Sequence, residues 1–505
     1  MIKKDTDKSR ARKNRAAEIA NTFEWLITAF ILAFVFRAFV MEAYRIPTGS
    51  MAETLMGAHF RLRCPQCGFQ YETGFVPEMY QMPADTIPSN NVPVPVSSCP
   101  SCGYLLTNKT TSAVSNGDRI LVLKCIYQFF EPKRWDVVVF KNPLDPTINY
   151  IKRLIGKPGE EIEIIDGDIY VDGRIERKPD KVQNEMWMPV YDNDYRPARP
   201  NRGSFNGHRW SQPFRNFKDS KWVLNNKDNL TVFRLDDPGE NWLVYDTAIG
   251  NDFRANYAYN DVRGHKYRPY CSDLMVRFYV GGDDDRPVSV GAELSKYRIT
   301  YKAYWDNTGD MVISQATPDG EIIELARTRE AVRPSFKSAT LVKFANVDHQ
   351  LIFEVGEEKI VYDLGQAPDD AGERQNDVQP QVRIFGAGKM MLSHIAVFRD
   401  THYISEKGYG NGEPGRATQG NPFKLEKDEF FVLGDNSPNS EDGRWWRRKG
   451  LGNNDILYRE GIVPREYMVG KAVLVYWPSG FKPFAKSRFA VIPNIGKMRL
   501  IYGGK

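Results

Sequence analysis

Apolar and polar positions divide the chain into one long apolar run and many short alternating ones. From Ile19 to Met41 the residues are mostly apolar, and between Trp25 and Phe36 only Thr28 interrupts them. About 20 apolar residues cross a bilayer as a helix, so a transmembrane helix is predicted over 19–41. Glu24 and Arg37 near its ends can snorkel toward the headgroups. Beyond it, residues 120–123, 136–141 and 161–165 are β-branched runs, with Asp166-Gly167 and Asp172-Gly173 as turn signals. The same pattern resumes at 429–435 and 471–477. In between, residues 230–235, 274–280, 297–304, 311–314, 339–344, 350–355 and 359–362 mostly alternate with period two. Repeated short strands with no helical signal between them predict a β-sandwich.

The expected chain is therefore mainly β. A tail over 1–18 precedes the helix over 19–41. One β domain is split into 42–184 and 406–505, with a small cysteine-bearing insert over 63–107. A jelly-roll-like sandwich over 185–405 lies between its halves.

A length of 505 residues fits two or three folded units. With 41% hydrophobic and 12% aromatic residues, the chain has ample material for cores and argues against extensive disorder. The net charge is only +5. Much of the excess lies before residue 16, where Lys3, Lys4, Lys8, Arg10, Arg12, Lys13 and Arg15 outweigh Asp5 and Asp7. A basic flank before a first span keeps the N-terminus in the cytoplasm, so this arm reads as a topology signal and no nucleic-acid partner is expected. No small-residue cleavage site follows promptly, which favours a retained anchor over a cleaved leader. The region after Met41 is then expected on the outer side of the membrane.

Just beyond the apolar run stands Tyr44-Arg-Ile-Pro-Thr-Gly-Ser-Met51, and far downstream Tyr150-Ile-Lys-Arg-Leu-Ile-Gly-Lys-Pro-Gly159. Serine is a weak nucleophile and needs a neighbouring base. The chain has six histidines and none stands beside either string, so Lys152 is the candidate base for Ser50. An exposed lysine, with a pKa of about 10.4, stays protonated at neutral pH. Burial disfavours the charged form, and Tyr150, Ile151, Leu154 and Ile155 are suitable walls. On a strand, Arg153 points to the opposite face.

With these strings and Gly434-Asp-Asn-Ser-Pro-Asn-Ser-Glu-Asp-Gly-Arg444 in hand, the chain resembles bacterial type I signal peptidases. Ile46-Pro-Thr-Gly-Ser-Met51 looks like the nucleophile box and 150–160 like the lysine box. Asn116-Gly-Asp-Arg-Ile-Leu-Val and Pro132-Lys-Arg-Trp-Asp-Val-Val-Val-Phe look like the central strands, and 434–444 looks like the closing box. Three departures stand out: Ala52-Glu53 where the family usually has a residue and proline, Trp135 for the usual glycine, and Glu160 where aspartate is commoner. None removes a reacting group.

The resemblance implies a serine endopeptidase that removes signal peptides from exported precursors at the outer face of the bacterial cytoplasmic membrane, with no cofactor for catalysis. It implies Ser50 as nucleophile, Lys152 as base, and Thr48 with the Ser50 N–H as oxyanion hole. Ser440 would orient the lysine, and Asp442 and Arg444 would form a structural ion pair. Asp435 and Asn436 are expected to shape the same turn. Ile46, Pro47, Tyr150 and Ile151 are expected beside an extended substrate peptide. A different class of reading is an envelope-binding membrane scaffold with a vestigial peptidase core. A self-cleaving Ser-Lys repressor is disfavoured by the anchor.

Cys64-Pro-Gln-Cys67-Gly and Cys99-Pro-Ser-Cys102-Gly are two C-x-x-C-G knuckles. Four thiolates so spaced suit structural zinc, while an oxidising compartment would allow disulfides. Cys125 and Cys271 are expected as ordinary buried cysteines. Trp187, Trp210, Trp222 and Trp242 could stack on a carbohydrate or envelope ligand, and 283–285 is a calcium-friendly acidic turn, although core packing and solvation are the commoner fates.

Overall fold

The computed structural model describes every residue except 1, 108, 198–204, 226–228, 263, 283–286, 318, 332–338, 376–377, 407–413, 453–456, 481–493 and 505. The acidic turn at 283–285 lies outside the described residues. An α-helix runs over Ile2–Val35 and continues as a π-helical turn over Phe36–Val40. Its segment Glu18–Val40 is long and apolar enough to cross a membrane, with a mean hydropathy of 1.9. No linker follows: the strand Met41–Arg45 begins at the next residue.

That strand is the edge of an antiparallel sheet. The order across it is Met41–Arg45, Arg119–Leu123, Met468–Trp477, Val137–Asn142, Asp145–Gly156, Glu429–Leu433 and Val463–Pro464. Because Met468–Trp477 intercalates between two strands from before the sandwich, the two halves of the chain form one unit. A smaller sheet of Arg174–Ile175, Asp168–Val171, Glu161–Ile165 and Phe423–Lys424 likewise joins both halves. Trp135 adopts φ +70°, a left-handed conformation that favours glycine, which accounts physically for glycine being the usual residue there. Its ring is buried with Ile155, Ile164, Phe431 and Leu433.

The insert is organised by one 18-residue strand, Val382–Arg399. On one side Pro287–Lys296 pairs with its first half and Leu274–Gly281 with its second, while on the other Phe233–Tyr245 runs along residues 383–392 and Met188–Asp192 along 396–399. Gly388, at φ +98°, lies where the pairing changes. Strands that bend from one sheet into another commonly do so at glycines. The two half-sheets face each other across one core, in which Val276, Phe278, Phe344 and Phe353 meet Val290, Leu294, Tyr301 and Trp305. Trp222 is buried in this core and Trp210 in the cysteine insert, so neither presents a face to a sugar. Trp242 is half-buried and packs on Phe385 with Lys302 over its ring, while Trp187 packs partly buried beside Met275.

A buried polar joint fastens sandwich to sheet. Lys178 Nζ lies 2.5 Å from Asp348 Oδ1 and 2.9 Å from Asp400 Oδ2, and Lys296 Nζ lies 2.6 Å from Asp273 Oδ1. Asp168 completes the group. Buried charges persist only when paired, and the two Lys178 pairs cross from one unit to the other.

The cysteine insert is built on the strands His59–Arg63 and Gln70–Gly74. In each knuckle the glycine has positive φ, +81° at Gly68 and +71° at Gly103. The Gly68 N–H donates to the Cys64 carbonyl and the Gly103 N–H to that of Cys99, both at 2.9 Å. All four sulfurs converge within 4.8 Å. Cys271 is buried and Cys125 half-buried.

Candidate active site

Ser50 reaches Lys152 because the chain leaves its edge strand and folds back over the sheet. Ile46, Met51 and Leu55 are buried against Ile120, Val122, Val137, Val139, Ala472 and Val475, which pins the loop by its apolar residues. The Ile46 N–H donates to the Asp118 carbonyl at 2.8 Å, and the Met56 N–H to the Asp118 carboxylate at 3.0 Å.

The base comes from the strand Asp145–Gly156, where Lys152 stands opposite Val138 and Arg153 opposite Val137. Successive strand residues point to opposite faces. Lys152 Nζ lies 2.7 Å from Ser50 Oγ and 3.2 Å from the Ile151 carbonyl, with the Tyr150 ring centroid 5.5 Å away. Lys152 is 4% exposed and Ser50 9%. Burial pushes the lysine ammonium down to about 8, against Asp442 and Asp435, whose charges favour it. Glu53, on the nucleophile loop, is pushed up to about 7 by burial and by Glu72.

On the opposite face Arg153 forms a two-pronged pair with Asp435, Nε to Oδ1 at 2.7 Å and Nη2 to Oδ2 at 2.6 Å. The sequence points to Asp435 as a turn-shaping residue, whereas its carboxylate is committed to this pair. Asn436 does hold the turn, and also the nucleophile loop: its N–H donates to the Ser50 carbonyl at 3.1 Å and its side-chain amide to the Gly49 carbonyl at 3.0 Å. Asp442 and Arg444 pair at 2.9 and 2.7 Å, fully buried, and Asp442 also accepts the Gly434 N–H at 3.0 Å.

A Cβ on Gly434 would stand 2.2 Å from Ser440 Oγ and 2.5 Å from the Ser50 carbonyl oxygen, so only glycine fits without displacement. Ser440 Oγ is buried and hydrogen-bonds to nothing among the described residues, Lys152 included. Thr48 is exposed. Of the expected substrate contacts, Ile46 is buried, Pro47 exposed, and Tyr150 and Ile151 half-buried. Glu429–Leu433 pairs with the lysine strand only at Arg153, Leu154 and Gly156, so it leaves that edge uncovered at Tyr150 and Ile151.

Three residues of the insert also touch the site, and nothing local in the sequence marks them. Tyr257 OH donates to the Asp435 carbonyl at 3.0 Å, Tyr259 lies against Gly49, and Asn260 bonds Asn436.

Residues 104–210 and 392–477 match the family model described as signal peptidase, peptidase S26. The matched residues include Lys152 and the 434–444 segment, and Ser50 precedes them. The chain is 31% identical over 175 residues to signal peptidase I of Rickettsia akari (strain Hartford), covering 34% of this chain and 50% of that one. It is 32% identical over 157 residues to signal peptidase I of Rickettsia canadensis (strain McKiel), covering 30% and 44%. The chain thus spans about half the length of the curated relatives it matches. Among solved structures, the exoplasmic/lumenal domain of VIP36 is 11% identical with a TM-score of 0.26, covering 43% of this chain and 93% of that one. A carbohydrate-binding module from Bacillus subtilis is 8% identical with a TM-score of 0.24, covering 37% and 94%. Scores this low carry no inference about fold or ligand. On both sides of the sandwich, then, the chain is similar to signal peptidases of the peptidase S26 family.

Proposed function

We propose that this chain is a membrane-anchored signal peptidase I that cuts signal peptides from exported precursors through a Ser50–Lys152 dyad. The observation that carries the reading is the 2.7 Å approach of Lys152 Nζ to Ser50 Oγ between two side chains shielded from water. A reading as a vestigial scaffold has no such observation behind it.

In the neutral form Lys152 accepts the Ser50 hydroxyl proton as Oγ attacks the scissile carbonyl. The developing oxyanion takes hydrogen bonds from the Ser50 N–H and the Thr48 hydroxyl, each worth on the order of 3 kcal/mol. Collapse breaks the C–N bond. The leaving amine takes the proton from Lys152, and the acyl group stays on Ser50. Water, deprotonated by the same amine, then releases the signal peptide. Lys152 has three N–H donors when charged, and the unpartnered Ser440 hydroxyl is the acceptor proposed for the one not used by Ser50 and Ile151. Asp435, Asn436, Asp442 and Arg444 hold the framework. The uncovered lysine-strand edge and the segment Ile46–Pro47 are where an extended peptide would add as a strand.

The basic residues before the apolar helix favour a cytoplasmic N-terminus, which would set the site on the outer face, next to emerging cleavage sites. The four knuckle cysteines would hold a structural zinc. Tetrahedral Zn–S bonds of about 2.3 Å separate sulfurs by about 3.8 Å. Cys64 and Cys102 stand 3.7 Å apart, and Cys67 and Cys99 3.6 Å. Such a metal would tie the knuckles together and take no part in the chemistry.

The test is incubation of the purified full chain in detergent with a signal-peptide-bearing precursor, with products identified by mass. Cleavage at the boundary of the mature protein is expected. An intact precursor, or cuts scattered elsewhere, would overturn the assignment.

A further inference from the structure

The sandwich insert sends a strap into the site. Between Phe233–Tyr245 and Leu274–Gly281 the chain leaves the sandwich, and Phe253, Ala255, Tyr257 and Tyr259 are buried in alternation with more exposed neighbours. The strap's base is closed by the Ala255 N–H to the Pro269 carbonyl at 2.9 Å and the Cys271 N–H to the Phe253 carbonyl at 2.8 Å. Arg399 lies over the Tyr257 ring, 5.2 Å from its centroid.

The far end of the strap grips the nucleophile loop from two sides. Asn260 and Asn436 exchange both side-chain hydrogen bonds, at 2.7 and 2.8 Å. An amide side chain has two N–H donors, and the second of Asn436 goes to the Gly49 carbonyl. With Asn260 in place the Asn436 amide therefore cannot rotate without losing bonds. Tyr259 supplies the other side. A Cβ on Gly49 would fall 1.9 Å from its ring. Its hydroxyl donates to the Ala58 carbonyl at 2.7 Å, and its carbonyl accepts the Gly74 N–H at 2.7 Å.

We infer that Asn260, with Tyr259, positions the nucleophile: the sandwich insert fixes Gly49 and Ser50 against the base through Asn436. This rests on the reading of Ser50 as nucleophile. The sandwich then serves the peptidase site directly, whatever else its surface does. A loop held only by its apolar residues and the Asp118 hydrogen bonds at its two ends would leave the serine between them free to drift. A displacement of about 1 Å in a reacting group lowers the rate by about 100-fold.

Full-length Asn260→Ala, Asn436→Ala and the double variant test this in detergent, with kcat and KM determined separately. Each single substitution is expected to lower kcat by about 10- to 100-fold, with KM within about twofold. The double variant should be no slower than the worse single, because the two side chains act as one unit. Hydrogen exchange read by mass spectrometry should quicken in peptides covering 46–56 and stay unchanged in those covering 274–281 and 340–347. Wild-type kcat, unchanged exchange over 46–56, losses that multiply, or faster exchange in the sandwich strands would each overturn the inference. Ser50→Ala separates it from its foundation. Persisting cleavage in that variant sinks the nucleophile reading, while the exchange data still judge the strap.

Discussion

Arg153 and Asp435 meet in a two-pronged ion pair, with both side chains almost wholly out of water, 282 residues apart along the chain. The pair sits directly behind the dyad, since Arg153 follows Lys152 and Asp435 precedes Asn436. Arg153 also donates to the Trp135 carbonyl at 2.9 Å. Removing one partner strands a buried charge, so Asp435→Asn or Arg153→Met should destabilise the peptidase unit by about 3–5 kcal/mol. The double Arg153→Met, Asp435→Leu should lose less than either. Urea unfolding of the full chain checks both, and a double variant weaker than each single would contradict the pairing.

The depressed Lys152 pKa sets the pH response. Activity that needs the neutral amine should rise with pH through about 8, well below the usual lysine value of 10.5. The sign for stability is the same. Burial penalises the charged lysine fully below about 8, and the penalty fades as pH climbs toward 10.5, where the unfolded chain also gives up its proton. The pH profile of kcat/KM is the check. A flat profile across this range would contradict a lysine base.

Gly434 is the tightest point between the closing segment and the nucleophile. Gly434→Ala must push either the Ser440 hydroxyl or the Ser50 carbonyl, since both lie within 2.5 Å of the added methyl. A fall in kcat of about 100-fold is expected, with the unfolding curve of the sandwich unchanged. Steady-state kinetics beside urea unfolding would show it.

Metal analysis separates the two chemistries open to the knuckles. One zinc per chain is expected, with Cys64→Ser or Cys99→Ser lowering it and increasing protease cutting within 63–107. A disulfide needs sulfurs about 2.05 Å apart, against the 3.6 and 3.7 Å found here. Metal-free protein with two disulfides by mass would contradict this.

Much of the site was legible because its chemistry is local. Gly49-Ser50, the lysine strand and the Asp442–Arg444 pair each lie within one short string. The strands at 274–280 and 350–355 were legible for a similar reason, since one face is core and the other solvent. What stayed hidden depends on distant partners. Arg153 reads as an ordinary strand arginine until Asp435 is folded against it. Asn260 lies in a polar stretch whose partner, Asn436, is 176 residues away. The strand Val382–Arg399 escaped notice because Gly386 and Gly388 break its alternation where it passes from one half-sheet to the other. Thr48 and Ser440 carry roles from the resemblance for which their side chains show no hydrogen bond among the described residues, because their partners would be the substrate and the lysine's spare N–H.

The dyad itself is tested most directly by rates of precursor cleavage for the wild type, Ser50→Ala and Lys152→Ala, measured side by side in detergent at pH 8. Both variants should fall by at least about 1,000-fold while keeping wild-type unfolding curves. Cleavage by either variant at an undiminished rate would contradict the account.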